Sequence, residues 1–131
     1  MREILFRGKG NPKYNTGEWY EGYLRQDSEG DFQICGSCWS RTVIPETVGQ
    51  YTGLTDKNGQ KIFEGDICQT KGYSLIDEEP FVIVWNDYYS GWYWQDIYVS
   101  RETDMLTKTV AELTEVIGNI HDNPELLVGA E

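Results

Sequence analysis

Apolar residues recur along this chain in short runs and alternating stretches, separated by polar segments rich in Gly, Asn and Asp. Alternation with a period of two, with turn residues between the runs, is typical of antiparallel strands. The pattern predicts strands at residues 3–6, 19–24, 32–34, 43–44, 51–54, 61–63, 67–70, 81–85, 92–99 and 115–120. It therefore favours a mainly β protein whose middle part forms a barrel-like or rolled antiparallel sheet.

The turn signal that stands out most is Asn58-Gly59, between the predicted strands 51–54 and 61–63. Asn-Gly is the preferred pair for a tight hairpin turn because both central residues can adopt positive φ. We expect a β-hairpin here, with positive φ at Asn58 and at Gly59.

The continuous apolar run over residues 81–85 is the best candidate for a buried strand, because its β-branched content favours the extended state. Residues 71–79 before it form a polar connection. Residues 103–114 are expected to hold a short helical element, although Thr is a poor helix former. Residues 124–127 are expected to form a terminal turn.

A length of 131 residues is sufficient for one domain with its own core. We therefore treat residues 1–131 as a single domain, with N-terminal strands or an arm over 1–44, a β core over 45–120 and a C-terminal tail over 121–131. The high aromatic content, with nine Tyr and five Trp, agrees with a strand-rich class.

The formal net charge of -11 disfavours binding to nucleic-acid backbones and to anionic membranes. The densest basic stretch is interrupted and followed by Glu residues and is expected to be solvated; its members are Arg2, Arg7, Lys9 and Lys13. The chain has neither an apolar run of membrane-spanning length nor the apolar segment of a signal peptide. We expect a cytoplasmic protein with no nucleic-acid partner and no membrane.

Cys35 and Cys38 have the two-residue spacing of half a zinc site or of a redox dithiol. A complete zinc site would need Cys68 and His121 as the remaining ligands. The flanking Ile34 and Trp39 favour a strand or loop over the helix N-terminus that a redox dithiol prefers. We therefore predict free thiols, no metal and no cofactor, with a zinc-stabilised module as the alternative.

The other candidate catalytic residues are explained better by structural roles than by catalysis. His121 is the only histidine and the only side chain whose unperturbed pKa lies near neutrality, but it lies in a turn sequence where capping is common. Glu64 and Asp66 could bind a divalent cation in a metal-dependent enzyme, yet a Glu-Gly-Asp turn is also explained by hydrogen bonds to the backbone. No phosphate loop, nucleophile elbow or paired-histidine helix is present, so we predict no enzymatic activity.

Several phrases of the sequence add up to a family pattern. They are REILFRGK at 2–9, PETVGQYTGL at 45–54, DKNG at 56–59, IFEGDI at 62–67, EVIGNI at 115–120 and NPELL at 123–127. With these phrases the chain resembles the YopX-type proteins of phages and prophages. The resemblance implies a self-associating protein from a phage or prophage of a lactic-acid-bacterium-like or bacillus-like host. It implies no established role and no catalytic residue.

A cluster of aromatic residues lies outside that pattern and consists of Tyr88, Tyr89, Trp92, Tyr93 and Trp94. Strand alternation cannot bury all of them in one small core, so some are expected at the surface. Base stacking would need a cationic groove, whereas Asp87 and Asp96 flank the cluster. Trp and Tyr are favoured anchors of protein interfaces. We expect this cluster to be an interface in a homo-oligomer or with a host or phage protein.

Overall fold

The computed structural model describes residues 3–70, 80–96 and 101–127. It confirms a mainly β protein whose described strands form antiparallel sheets. Among the described strands, the first and last of each sheet do not pair, so neither sheet is a closed barrel. The predicted connection at 71–79 and the predicted strand end at 97–99 lie outside the described residues. The chain divides into two compact units, Met1–Tyr51 and Thr52–Glu131, and the single-domain assignment stays a prediction.

The first unit is built on four strands and the beginning of a fifth, in the order β4-β3-β2-β1-β5. Their bounds are β1 Phe6–Lys9, β2 Trp19–Gln26, β3 Phe32–Cys35, β4 Ser40–Thr42 and β5 Gly49–Thr55. Ile34 and Val43 are the fully buried apolar side chains of this unit, at 0% and 1% exposure. β2, β3 and β5 lie at predicted strands, whereas β1 overlaps the predicted strand 3–6 only at Phe6. The strand predicted at 43–44 was wrong, because β4 ends at Thr42, Val43 forms an isolated bridge with Gly10, and Ile44 caps the helix that Pro45 begins.

A short 3-10 helix, Pro45–Thr47, connects β4 to β5. The buried Thr47 fixes it, because its Oγ1 accepts a hydrogen bond from the Lys9 amide at 2.9 Å and donates to the Ile44 carbonyl at 2.6 Å. Pro45 stands in the first turn, where a missing amide proton costs no helical hydrogen bond.

The second unit contains a five-stranded sheet in the order β10-β9-β8-β7-β11. Its strands are β7 Asp66–Thr70, β8 Phe81–Asn86, β9 Gly91–Asp96, β10 Arg101–Met105 and β11 Thr114–Asn119. β6, Lys61–Phe63, pairs with β5. The helix α1, Lys108–Ala111, and a 3-10 turn, Pro124–Leu127, complete the unit. The core consists of Ile62, Cys68, Phe81, Ile83, Leu106 and Ala111.

The predicted hairpin between β5 and β6 is present, but its turn differs from the prediction. Only Gly59 adopts positive φ, at 80°, and Asn58 does not. The reason is the Asp56 carboxylate, whose Oδ1 accepts hydrogen bonds from the amides of Asn58 at 2.8 Å and Gln60 at 2.9 Å. These hydrogen bonds from the backbone to the Asp56 side chain favour a turn that is longer than the two-residue Asn-Gly turn and has one left-handed residue, Gly59.

The segment predicted to be helical holds both a strand and a helix. β10 covers its beginning, Arg101–Met105, and α1 is confined to Lys108–Ala111. Thr107 begins the helix because its side chain accepts a hydrogen bond from the Val110 amide at 3.2 Å. Thr is a poor residue inside a helix and a good one at its N-cap, which explains the short length.

Candidate functional site

The aromatic cluster lies on the hairpin formed by β8 and β9. In this hairpin Ile83 faces Trp94, Val84 faces Tyr93 and Trp85 faces Trp92. Because side chains of a strand alternate between faces, Trp92 and Trp94 share the face of Ile83, whereas Tyr93 lies on the opposite face. The five predicted interface residues are therefore divided between the two faces of one sheet and its turn.

Trp92 and Trp94 are partly buried and pack against the core of the second unit. The Trp94 ring lies 5.4 Å from the Phe81 ring, centroid to centroid, in a tilted arrangement. These two residues have a packing role.

Tyr88 and Tyr89 occupy the turn and are 85% and 62% exposed. The Tyr89 ring stacks on Tyr93 with centroids 5.7 Å apart and planes 21° apart. Tyr88 meets the same Tyr89 ring edge-on at 4.7 Å. The two exposed rings are therefore held by aromatic contacts before any partner binds.

Trp85 is a further exposed aromatic residue of the hairpin, which the sequence assigned to a buried strand. It is 42% exposed and packs edge-on against Trp92, with ring centroids 4.9 Å apart. Its position as the penultimate residue of β8, next to the turn, was the signal that could have identified it. We refer to Trp85, Tyr88 and Tyr89 together as the aromatic tip.

Polar contacts fix the shape of the aromatic tip. The buried Asn86 accepts a hydrogen bond from the Tyr89 amide at 2.9 Å, and the Trp85 indole donates to Asp87 at 2.8 Å. Ser90 adopts a φ of 53°, a conformation that few residues other than glycine take. A strained residue held by its surroundings at an exposed turn is a frequent feature of binding sites.

The surface beside Tyr93 also carries an exposed apolar side chain. Met105 of β10 lies opposite Tyr93 in the register and is 48% exposed. Its neighbour in sequence, Asp104, is exposed as well. Within residues 80–96 the sequence contains two Asp and neither Lys nor Arg. The hairpin thus combines aromatic and acidic character.

The alternative zinc ligands occur as one pair in each unit. In the first unit, Cys35 is half-buried at the end of β3, and Cys38 is exposed in the turn that follows. In the second unit, Cys68 is fully buried in the core, and the half-buried His121 lies in the turn after β11, where its amide donates to Asn119. Within residues 3–70, 80–96 and 101–127, no group of three or more His, Cys, Asp or Glu is placed to hold a metal ion.

Of Glu64 and Asp66, Asp66 has the local hydrogen bonding to the backbone that the sequence favoured. Asp66 is 1% exposed, and its Oδ2 accepts a hydrogen bond from the Phe63 amide at 2.7 Å. Glu64 is half-buried beside Gly65, whose φ of 88° makes the turn between β6 and β7. The Asp66 carboxylate therefore stabilises the turn.

Basic side chains of the first unit lie over aromatic rings. The Arg7 guanidinium lies 4.9 Å from the Trp19 ring, and the Lys13 ammonium lies 5.5 Å from the Tyr14 ring. Arg41 lies 5.7 Å from Tyr20 and 5.8 Å from Trp39. These cations are engaged within the unit that carries them.

No helix in the described part of the chain is long and apolar enough to cross a membrane.

Comparisons with known proteins agree with the family pattern in the sequence. No curated protein matches the chain. Among solved structures, the chain is similar to the crystal structure of protein EF1440 from Enterococcus faecalis, at 29% sequence identity and a TM-score of 0.60. This match covers 97% of this chain and 99% of the other. The family model described as YopX protein matches residues 11–128. The chain therefore belongs to the YopX protein family.

Proposed function

We propose that this protein acts without catalysis, by protein–protein contact through the aromatic tip of its β8–β9 hairpin. The observation that carries the proposal is the exposure of Tyr88 and Tyr89 at 85% and 62% on a turn whose rings are already ordered by stacking. Ordered aromatic side chains lose little conformational entropy on binding and supply large contact areas.

The biological setting of the proposal follows from the family resemblance. The protein would belong to a phage or prophage, self-associate, and bind a host or phage protein in the cytoplasm of the bacterial cell. A function in protein binding agrees with the absence of catalytic motifs from the sequence, and the negative net charge of -11 disfavours a nucleic-acid ligand.

The experiment compares three proteins: the unchanged chain, Tyr88→Ser with Tyr89→Ser, and Tyr23→Ser as the matched control. Tyr23 is a tyrosine of β2 that is 71% exposed. Sedimentation velocity over a range of concentrations measures self-association, and capture from host cells carrying the phage, with saturation binding of each captured protein, measures partner binding. Circular dichroism and thermal unfolding verify that each variant is folded.

We expect the double variant, and not the Tyr23 control, to lose an interaction of the unchanged protein. Loss of self-association would identify the aromatic tip as a subunit interface, and loss of a saturable partner would identify it as a partner interface. If every interaction of the unchanged protein is retained by the folded double variant, or if the unchanged protein shows none, the proposal is wrong.

A further inference from the structure

Within the described residues, the exposed rings of the aromatic tip lack the cations that lie over four aromatic rings of the first unit. In the first unit, Trp19, Tyr14, Tyr20 and Trp39 each have an Arg or Lys over the ring. In the part of the chain that the structure describes, Trp85, Tyr88 and Tyr89 contact other aromatic rings and have no such cation.

We propose that the aromatic tip binds an arginine-bearing basic segment on the surface of a partner protein. This inference rests on the proposed function and specifies the chemistry of the partner. The Arg side chains of the partner would lie over the Tyr88 and Tyr89 rings, an arrangement that the guanidinium adopts more often than the ammonium does.

The charge of the hairpin favours this partner over others. Residues 80–96 include Asp87 and Asp96 and contain no Lys or Arg, and the exposed Asp104 follows in the adjacent β10. The net charge of -11 for the whole chain, to which these residues contribute, attracts a cationic segment and repels an anionic one. A basic surface that otherwise binds nucleic acid has this chemistry.

The arrangement of Asp87 shows how charge and ring recognition are combined. Its Oδ1 accepts the hydrogen bond from the Trp85 indole at 2.8 Å, which holds the carboxylate beside the exposed Trp85 ring. A carboxylate has further acceptor positions on its second oxygen, so Asp87 can also accept from a guanidinium.

The test measures binding of a short arginine peptide, a lysine peptide of the same length and a single-stranded oligodeoxythymidylate by isothermal titration calorimetry and fluorescence anisotropy. The proteins are the unchanged chain, Tyr88→Ser with Tyr89→Ser, and Tyr23→Ser. Because Tyr→Ser leaves the net charge unchanged, any difference between the variants reports on the rings and not on general attraction to an acidic protein.

We expect the arginine peptide to bind more tightly than the lysine peptide, and binding to weaken as salt is raised. The double variant should lose about tenfold in affinity for arginine, as expected for two exposed cation–π contacts, and should no longer distinguish arginine from lysine. The Tyr23 control should bind like the unchanged protein.

Two results would overturn the inference. One is equal affinity of the unchanged protein and the folded double variant for the arginine peptide; the other is binding of the oligonucleotide that depends on Tyr88 and Tyr89. The proposed function fails separately, since its own test scores self-association and captured partners of any charge. Suppose the double variant loses a partner that lacks a basic surface while its affinity for the arginine peptide is unchanged. The proposed function then stands, and the inference that the partner is basic is wrong.

Discussion

The Oδ2 atom of Asp56 accepts a hydrogen bond from the backbone amide of Val116 at 3.0 Å, across 60 positions of sequence. Its Oδ1 atom accepts from the amides of Asn58 and Gln60 in the turn after β5. One carboxylate, 4% exposed, thus shapes the β5–β6 turn and attaches it to β11. The Lys57 amide donates to the Thr114 carbonyl at 2.9 Å beside it.

Asp56→Ala should therefore destabilise the protein by about 3 kcal/mol, because it removes three part-buried hydrogen bonds that a single carboxylate accepts from the backbone. Urea unfolding followed by tryptophan fluorescence measures the change. Asn58→Ala is the matched control in the same turn; it removes a single exposed hydrogen bond to Glu115 at 3.3 Å and should cost about 0.5 kcal/mol. Equal losses for the two variants would contradict the role assigned to Asp56.

Gly22→Ala should destabilise the first unit, because a Cβ there would lie 2.3 Å from the Cys35 carbonyl oxygen of the paired strand β3. Overpacking of this kind costs about 1–3 kcal/mol. Gly91→Ala is the control, since its Cβ would meet only the Tyr89 carbonyl oxygen at 3.9 Å. Thermal unfolding should show a lower midpoint for Gly22→Ala than for Gly91→Ala, and the opposite order would contradict this packing.

Trp94→Ala should lower the free energy of unfolding by about 3 kcal/mol, because Trp94 packs against Phe81 and the core. Tyr88→Ala should change it by less than about 0.5 kcal/mol, since the side chain is 85% exposed. Chemical denaturation of both variants tests the division of the aromatic cluster between the faces of the hairpin. A large loss for Tyr88→Ala would show that the turn residue is structural.

Thr47→Val should weaken the first unit by about 1–3 kcal/mol, because Val keeps the shape of Thr and removes the oxygen that accepts from the Lys9 amide. Hydrogen exchange measured by NMR should show faster exchange of the Lys9 amide in this variant. The Tyr51 amide, which donates to the Leu5 carbonyl at 2.8 Å, should change less and provides an internal reference. Unchanged protection at Lys9 would be evidence against the Thr47 contact.

The strand regions could be predicted because alternation and turn residues act locally. The hairpin after Thr55 and the strand Phe81–Asn86 are examples. β10 was not predicted, since its sequence RETDM is polar and does not alternate, and its extended state depends on pairing with β9. The single left-handed residue of the β5–β6 turn depends on Asp56, whose second carboxylate oxygen is held by a strand near the other end of the chain.

The candidate site was predicted only in part. Composition and alternation indicated that some of the five aromatic residues would be exposed, but which ones depends on which face of the sheet packs against core residues such as Leu106 and Ala111. A sequence cannot distinguish the two faces when both carry large rings. Trp85 was missed because the whole apolar run 81–85 was assigned to a buried strand, although its place at the end of that run, next to the turn, indicated exposure.

The order of strands in the second unit has a consequence for synthesis on the ribosome. β7 lies between β8 and β11, and β11 supplies the amide that the Asp56 carboxylate binds. Until residue 116 has left the exit tunnel, one edge of β7 is unpaired. The Asp56 carboxylate, which is buried in the folded protein, is still hydrated at that stage. The nascent unit therefore completes its sheet only after β11 has emerged, and a chain released before β11 would expose an open strand edge to aggregation.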